Sequence, residues 1–324
     1  MRRAKPAVAA RAEKFHDAGM KVLVTGGTGF VGRAVLAALA EAGHGARVLV
    51  RRPDSARVRE LLGRFGAEPV TGDVLAPESL RAAVSGCEAV IHLVGIISEV
   101  GRNTFANAHT AATRNVVAAA RAGGVGRLVH MSALGTRPDA VSRYHQTKWA
   151  AEEAVRGSGL AWTIFRPSLI YGAEDQFTNR FARLARWSPV LPVLGPGRGR
   201  LQPVSVEAVA LAFVRALREP AAVGRTFDLC GPERLTFEEV LDAILAATGR
   251  RRWKVHVPLG LARVAARVLE VVFPRLLGRA APLNRDQLVM LQEDNVGDPA
   301  PANELFCLPV ETFREGLARY LKRG

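Results

Sequence analysis

An α/β fold, with a doubly wound parallel sheet and a smaller C-terminal α/β lobe, is predicted by three observations. Short apolar runs alternate with segments of helical spacing through the first half of the chain. The first run ends in a cluster of glycines that leads straight into a helical pattern, and the alternation loosens after residue 170. Strands alternating with helices are expected to lie parallel, with the helices covering both faces of the sheet.

The elements follow in order. Residues 21–25 are a short apolar strand, and residues 30–42 repeat apolar residues at helical spacing, so the pair reads as strand, tight turn, helix. A strand at 46–50, a helix at 54–65, a strand at 68–71 and a helix from Pro77 come next. Strand 88–93, helix 105–122, strand 127–131, helix 141–156 and a sixth strand at 161–165, stopping at Arg166-Pro167, complete the alternating part. Beyond it, residues 195–199 form a glycine and proline-rich loop and residues 225–230 a late strand. A helix over 236–248 opens on a Thr-x-x-Glu capping box, Thr236 to Glu239.

With 324 residues, 48% of them hydrophobic, the chain can bury a sizeable core. The net charge of +15 is carried mainly by arginines spread along the whole chain. No basic stretch is interleaved with aromatic residues, so nucleic-acid binding is not expected, whereas a diffuse attraction for phosphates or acidic lipid is. Cys87, Cys230 and Cys307 lie far apart and fit neither a zinc site nor a disulfide framework. Histidines 92, 109, 130 and 145 lack metal-ligand spacing on a shared helix, so no metal is expected and they read as core or surface residues. Residues 1–19 read as a basic leader without fixed structure and without the apolar run of a secretion signal, from which a cytoplasmic location is expected. No charge-free run reaches the length of a spanning helix, but the basic, apolar-rich segment 257–277 suits contact with a membrane surface, peripheral to the inner membrane; packing on the core is its alternative.

Gly26, Gly29 and Gly32 stand at G-x-x-G-x-x-G spacing between the first strand and helix, the context of a dinucleotide-binding turn. Gly26 permits the turn, Gly29 lets the backbone approach a pyrophosphate and Gly32 lets the helix pack closely, with phosphate at the helix N-terminus beside Thr28, Phe30 and Val31. A Rossmann-like NAD(P)-binding domain is therefore expected over residues 20–170 and the smaller lobe over 171–324, with 200–230 returning to the core. Where an acidic residue would hold the ribose hydroxyls of NAD, Arg51 and Arg52 follow the second strand. They suit a 2'-phosphate, so NADPH is favoured over NAD, the alternative being a solvated pair. Asp73, with Val74 packing nearby, is placed to accept from the adenine amino group or to cap its own turn. Leu93, Val94 and Gly95 close the fourth strand, where Gly95 would leave room for the adenosine half.

Tyr144 and Lys148 are four residues apart on a predicted helix and so share a face. A nearby ammonium lowers a phenol's pKa, which suits Tyr144 to proton transfer at a carbonyl while Lys148 bonds the nicotinamide ribose.

From Met20 onward the chain resembles the extended and atypical short-chain dehydrogenase/reductase family, the NAD-dependent epimerase/dehydratase kind. The match is carried by Thr25 to Gly32, Gly72-Asp73, Tyr144 to Lys148, Arg166-Pro167 with Tyr171-Gly172, and Gln202-Pro203-Val204. Within the family it looks nearest to the group of the NADPH-binding accessory subunit of respiratory complex I and its bacterial relatives, through Ser142-Arg143-Tyr144, Phe165 to Ser168, Tyr171 to Phe177 and Asp294-Asn295-Val296. The resemblance implies that Tyr144 is the acid/base assisted by Lys148, and that the Pro167-Ser168 backbone lies beside the nicotinamide. It also implies a hydroxyl that polarises the substrate. Ala133 stands at the position of that hydroxyl; with the register moved by one, Ser132 serves.

Three functions remain open on the sequence. One is a cofactor-binding protein in which NADPH stabilises the fold, with a respiratory-complex partner. Another is an active NADP(H)-dependent oxidoreductase or epimerase acting on a carbonyl, sugar-nucleotide or quinone-related small molecule. The third is a membrane-surface or lipid-linked quinone role.

Overall fold

The computed structural model describes residues 19–321, so the expectation for the leader falls almost wholly outside the described residues. β1 (Lys21–Thr25), β2 (Gly45–Val50), β3 (Glu68–Thr71), β4 (Ala89–His92), β5 (Arg127–Met131) and β6 (Ala161–Pro167) lie in one parallel sheet. Four short strands follow, β7 (Ile170–Tyr171), β8 (Val190–Leu194), β9 (Arg200–Leu201) and β10 (Val204–Ser205), before β11 (Arg225–Leu229) joins the sheet beside β6. The order is β3-β2-β1-β4-β5-β6-β11, and every pairing in it is parallel. The chain thus winds outward from β1 in both directions, and a crevice opens at the carboxyl ends where the order reverses between β1 and β4.

Helices cover both faces because the strands bury both. α1 (Phe30–Glu41) packs on one face through Val31, Val35, Leu36 and Leu39. α2 (Ala56–Gly63) follows β2, while α3 (Pro77–Val84), α4 (Ala112–Ala122) and α5 (Arg143–Arg156) form the opposite layer around Leu23, Val90, Leu128 and Ile164. After α6 (Gln176–Trp187), α7 (Val206–Ala216) returns to the first face beside α1.

The smaller lobe has its own apolar clusters, formed by α6, α8 (Phe237–Ala247) and the last helix, with Phe177 and Phe181 against Phe237. The expected capping box is formed at α8: Thr236 Oγ1 accepts from the Glu239 amide and Glu239 accepts from the Thr236 amide. After the short strand β12 (Leu235–Thr236), which leads into α8, β13 (Trp253–Val257) pairs in parallel with β8 and leads into α9 (Leu259–Val272). α10 (Arg285–Met290), α11 (Ala300–Phe306) and α12 (Phe313–Tyr320) complete the chain.

Two elements differ from expectation. The sixth strand runs on through Pro167, because the Pro167 carbonyl still accepts from Leu134 N (2.9 Å) and Ser168 N donates to Leu229 O (3.0 Å), which carries the ladder past the missing proline N–H. The helix expected over 105–122 begins with a wider π-helical turn, Ala106–Ala111, which carries His109 and gives way to α4.

Candidate functional site

The glycine turn sits where the sheet reverses. Gly26 has φ +79°, a conformation that disfavours side chains, and a Cβ there would stand 3.2 Å from Leu93 C and Val94 N. A Cβ on Gly32 would collide with the Gly26 carbonyl oxygen and lie 2.6 Å from Gly27 Cα, so turn and helix touch through backbone alone. Thr28 and Gly29 are exposed, Phe30 is half-buried and Val31 is buried. Gly29 is the N-cap of α1, no side chain caps it, and the first turn holds no carboxylate. The free N–H groups and the positive end of the helix dipole therefore face the crevice, an arrangement suited to a pyrophosphate.

Arg51 and Arg52 are exposed just beyond β2, and neither makes an ion pair with any described residue. Asp73 accepts from Leu75 N through Oδ1 (2.9 Å), so it closes its own turn and keeps Oδ2 unengaged among the described residues. The neighbouring Val74 carbonyl is held by Asn115 Nδ2 (2.9 Å). Arg51 and Arg52 thus follow the carboxyl end of β2, and Asp73 and Val74 that of β3.

At the far side α5 begins on Ser142, whose hydroxyl accepts from the His145 amide. Lys148 is buried and its Nζ donates to Met131 O (3.0 Å); burial pushes its ammonium down to about 8. The sequence assigned the open side of Gly95 to the adenosine half. In the structure a Cβ at Gly95 would stand 3.0 Å from Lys148 Nζ, so the missing side chain makes room for that ammonium.

Tyr144 is half-buried, its ring edge-on to Phe105, His109 and His145 at 5.1–5.8 Å between centroids. No described group hydrogen-bonds its hydroxyl. The expected lowering of this phenol by Lys148 is not found: burial pushes it up to about 12, and the Lys148 ammonium is engaged by Met131 O. Tyr144 is accordingly a protonated phenol at neutral pH.

Ser132 is 3% exposed and donates to Thr136 Oγ1 at 3.5 Å, and Thr136 in turn contacts His145 Nδ1 at 3.2 Å. Ala133, next to it, is half-buried. The Ser168 hydroxyl donates to Asn295 Oδ1 (2.5 Å), and Asn295 Nδ2 donates to Leu134 O (3.2 Å). Residues 293–295 thereby strap the ends of β5 and β6, reinforced by the two-pronged Arg137–Glu293 pair and by Arg200–Asp294.

Sequence reasoning gave His109 no role. Its Nδ1 lies 2.9 Å from Thr147 Oγ1, and its Nε2 lies 3.2 Å from Ile96 N and 3.1 Å from Ile96 O. His109 thus ties the chain after β4 to α5, and burial pushes its ring down to about 2. Its position within the first turn of a long predicted helix was the one available signal. Asn295 was visible only as part of a resembling tail; its partners are more than a hundred residues away. Beside Phe105 lies a cavity of about 360 Å³, bordered by Glu99, Arg143, Glu270, Pro274 and Asp286.

A doubly wound sheet with an uncapped glycine turn at its switch point defines a dinucleotide-binding protein, and the chain belongs to the NAD(P)H-binding family, of the atypical short-chain dehydrogenase/reductase kind. The family's model, described as NAD(P)H-binding, matches residues 26–220. The chain is 32% identical over 289 residues to the mitochondrial NADH dehydrogenase [ubiquinone] 1 alpha subcomplex subunit 9 of Arabidopsis thaliana, covering 86% of this chain and 71% of that one. It is 30% identical to a 2-alkyl-3-oxoalkanoate reductase of Stenotrophomonas maltophilia over 93% of this chain and 98% of that one. In fold it resembles a UDP-glucose 4-epimerase of Thermotoga maritima with a TM-score of 0.70, at 21% identity over 93% of this chain and 97% of that one.

Proposed function

We propose that the chain binds NADPH in preference to NADH and uses it to reduce a carbonyl compound, with Tyr144 as the proton donor. The observation that carries this reading is the pairing of a protonated, unengaged Tyr144 hydroxyl with a buried Lys148 one helical turn away at the end of β5. Hydride delivered to a carbonyl carbon leaves charge on its oxygen, and a phenol with its proton still in place answers that need. NADPH supplies the hydride. Lys148, held by Met131 O, keeps a positive charge near the ribose and the developing oxyanion, and Ser132 offers the hydroxyl that polarises the carbonyl. Arg51 and Arg52, without carboxylate partners among the described residues, take the 2'-phosphate; Gly26, Gly29 and Gly32 with Thr28, Phe30 and Val31 take the pyrophosphate. Asp73, Val74, Leu93 and Val94 border the adenosine, Gly95 leaves room for the Lys148 ammonium, and Pro167 and Ser168 border the nicotinamide. The name of the oxoalkanoate relative supports a carbonyl substrate.

The test is oxidation of NADPH by the full chain with 3-oxo acids and 3-oxo esters of increasing chain length. Turnover is expected, and Tyr144→Phe should slow it at least a hundredfold, in the range of a lost general acid, with NADPH affinity nearly unchanged. Turnover indifferent to that change removes the role.

A second reading is favoured by one observation: the Ser132 hydroxyl is buried against Thr136 and Ala133 offers none. In that reading NADPH is a structural ligand of a respiratory-complex subunit, the name of the complex I relative supporting membership of such a complex. A saturating ligand at a thousandfold excess over its Kd contributes about 4 kcal/mol of stability. A large rise in Tm with NADPH, together with no oxidation by any carbonyl or quinone offered, would select it.

A further inference from the structure

The outer face of α9 is not used by the site. Along it Leu261 and Val264 are each 62% exposed and Val268 is 54% exposed, and Leu276, just beyond the helix, is 77% exposed. At 3.6 residues per turn, Leu261, Val264, Val268, Val271 and Val272 fall within an arc of about 100°. The other side of the helix is made of small residues, Ala262 and Ala266, which are buried against Leu288, Leu194 and Val257. The apolar arc is therefore surplus to packing, and no described element covers it.

Arg267 borders one edge of the arc, Arg263 lies one turn earlier on the same side, and Arg275 and Arg279 follow it; all four are exposed, and none makes an ion pair with a described residue. The one carboxylate in the segment, Glu270, is held by Arg285 (2.7 Å). An apolar arc beside unpaired arginines, on a helix too short and too charged to span a bilayer, has the chemistry of an element lying in a membrane interface, with alkyl stems in the lipid and guanidinium groups at phosphate level. A second copy of the chain is a poorer occupant, since a twofold contact would set arginine against arginine with no free acid to relieve it.

We propose that α9 and the turn after it rest on a bilayer containing anionic phospholipid. Glu270 and Pro274 of the same segment border the cavity next to Phe105 from the side of the helix turned away from the arc. This docking is independent of whether the chain turns over NADPH.

The experiment is co-sedimentation of the full chain with vesicles of phosphatidylcholine containing about 30% anionic phosphatidylglycerol, which gives the surface a negative potential, and with vesicles of phosphatidylcholine alone. Partition onto the anionic vesicles is expected to be at least tenfold greater, and to fall severalfold as salt is raised from about 0.05 to 0.5 M. Arg263→Gln with Arg267→Gln should remove most of the preference for anionic vesicles. Val264→Glu with Val268→Glu should cut binding at least tenfold, with an unchanged circular dichroism melt showing that the fold is kept. The arginine variant alters only exposed side chains and decides the matter if the glutamate variant does not fold. Wild type left in the supernatant, or variants binding as well as wild type, would overturn the proposal. So would a wild-type dimer that the glutamates dissociate, which assigns the face to a second copy.

Discussion

At the residue scale the chain separates positions whose meaning is local from those whose meaning depends on a distant partner. Arg51 and Arg52 could be singled out from the sequence because the role proposed for them depends only on the end of β2, a feature of the next few residues. The double change Arg51→Ala, Arg52→Ala should weaken NADPH binding roughly tenfold to a hundredfold, about 1.4 kcal/mol per tenfold, and NADH binding little. Equal losses, measured by titration of both cofactors, would count against a 2'-phosphate contact. Tyr144 and Lys148 were also legible as a pair, since helical spacing alone puts them on one face. The direction of the Tyr144 shift was not: it depends on Phe105, His109 and His145 closing over the ring. Gly95 shows the same limit, for the neighbour that needs its missing side chain comes from a helix more than fifty residues later.

At the scale of elements, α5 is the part that must not move, because it carries both Tyr144 and Lys148. Its C-terminal half is anchored by Glu152, fully buried, which receives Arg166 from β6 (2.6 Å) and Arg156 from its own helix (2.6 Å). A carboxylate in that place is stabilised only because two guanidinium groups reach it. Glu152→Gln should therefore lower stability by about 2–3 kcal/mol, reduced from the figure for fully buried pairs because both arginines are partly exposed. A denaturant midpoint equal to wild type's would show that the pair contributes nothing. The strap at residues 293–295 belongs to this scale too. Its hydrogen bonds join β5, β6 and β9, and no periodicity in the sequence encodes such a joint.

At the scale of the molecule, the carboxyl end of the sheet buries four histidines around Lys148. His92 is pushed down to about 3, His109 to about 2 and His145 to about 4, and His130, stacked on His92, lies well below its ordinary value, in every case chiefly through burial. In the unfolded chain each takes up a proton near pH 6.5, whereas in the fold each stays neutral until far lower. Protons are thus bound by the unfolded state first, and stability must fall as pH drops below about 6.5. His92, His109 and His145 each contribute a loss of roughly 2 kcal/mol between pH 7 and 5, and His130 acts in the same direction. Four together approach the whole stability of an ordinary domain, so acid unfolding is expected near pH 5, without any comparable loss between pH 7 and 8. Urea midpoints measured at pH 7, 6 and 5 would check this, and a midpoint constant across them would refute it.

The sequence by itself determined the sheet, the glycine turn and the cofactor class. Strand and helix periodicity, and the backbone freedom of Gly26, are properties of a few consecutive residues and survive being read one window at a time. Only the tertiary structure decided what faces what: Lys148 beneath Gly95, His109 between Ile96 and Thr147, Asn295 on Ser168, and an apolar arc on α9 left without a partner among the described residues. Those contacts join residues tens to more than a hundred positions apart, and burial, which sets every shifted pKa here, exists only once they are made.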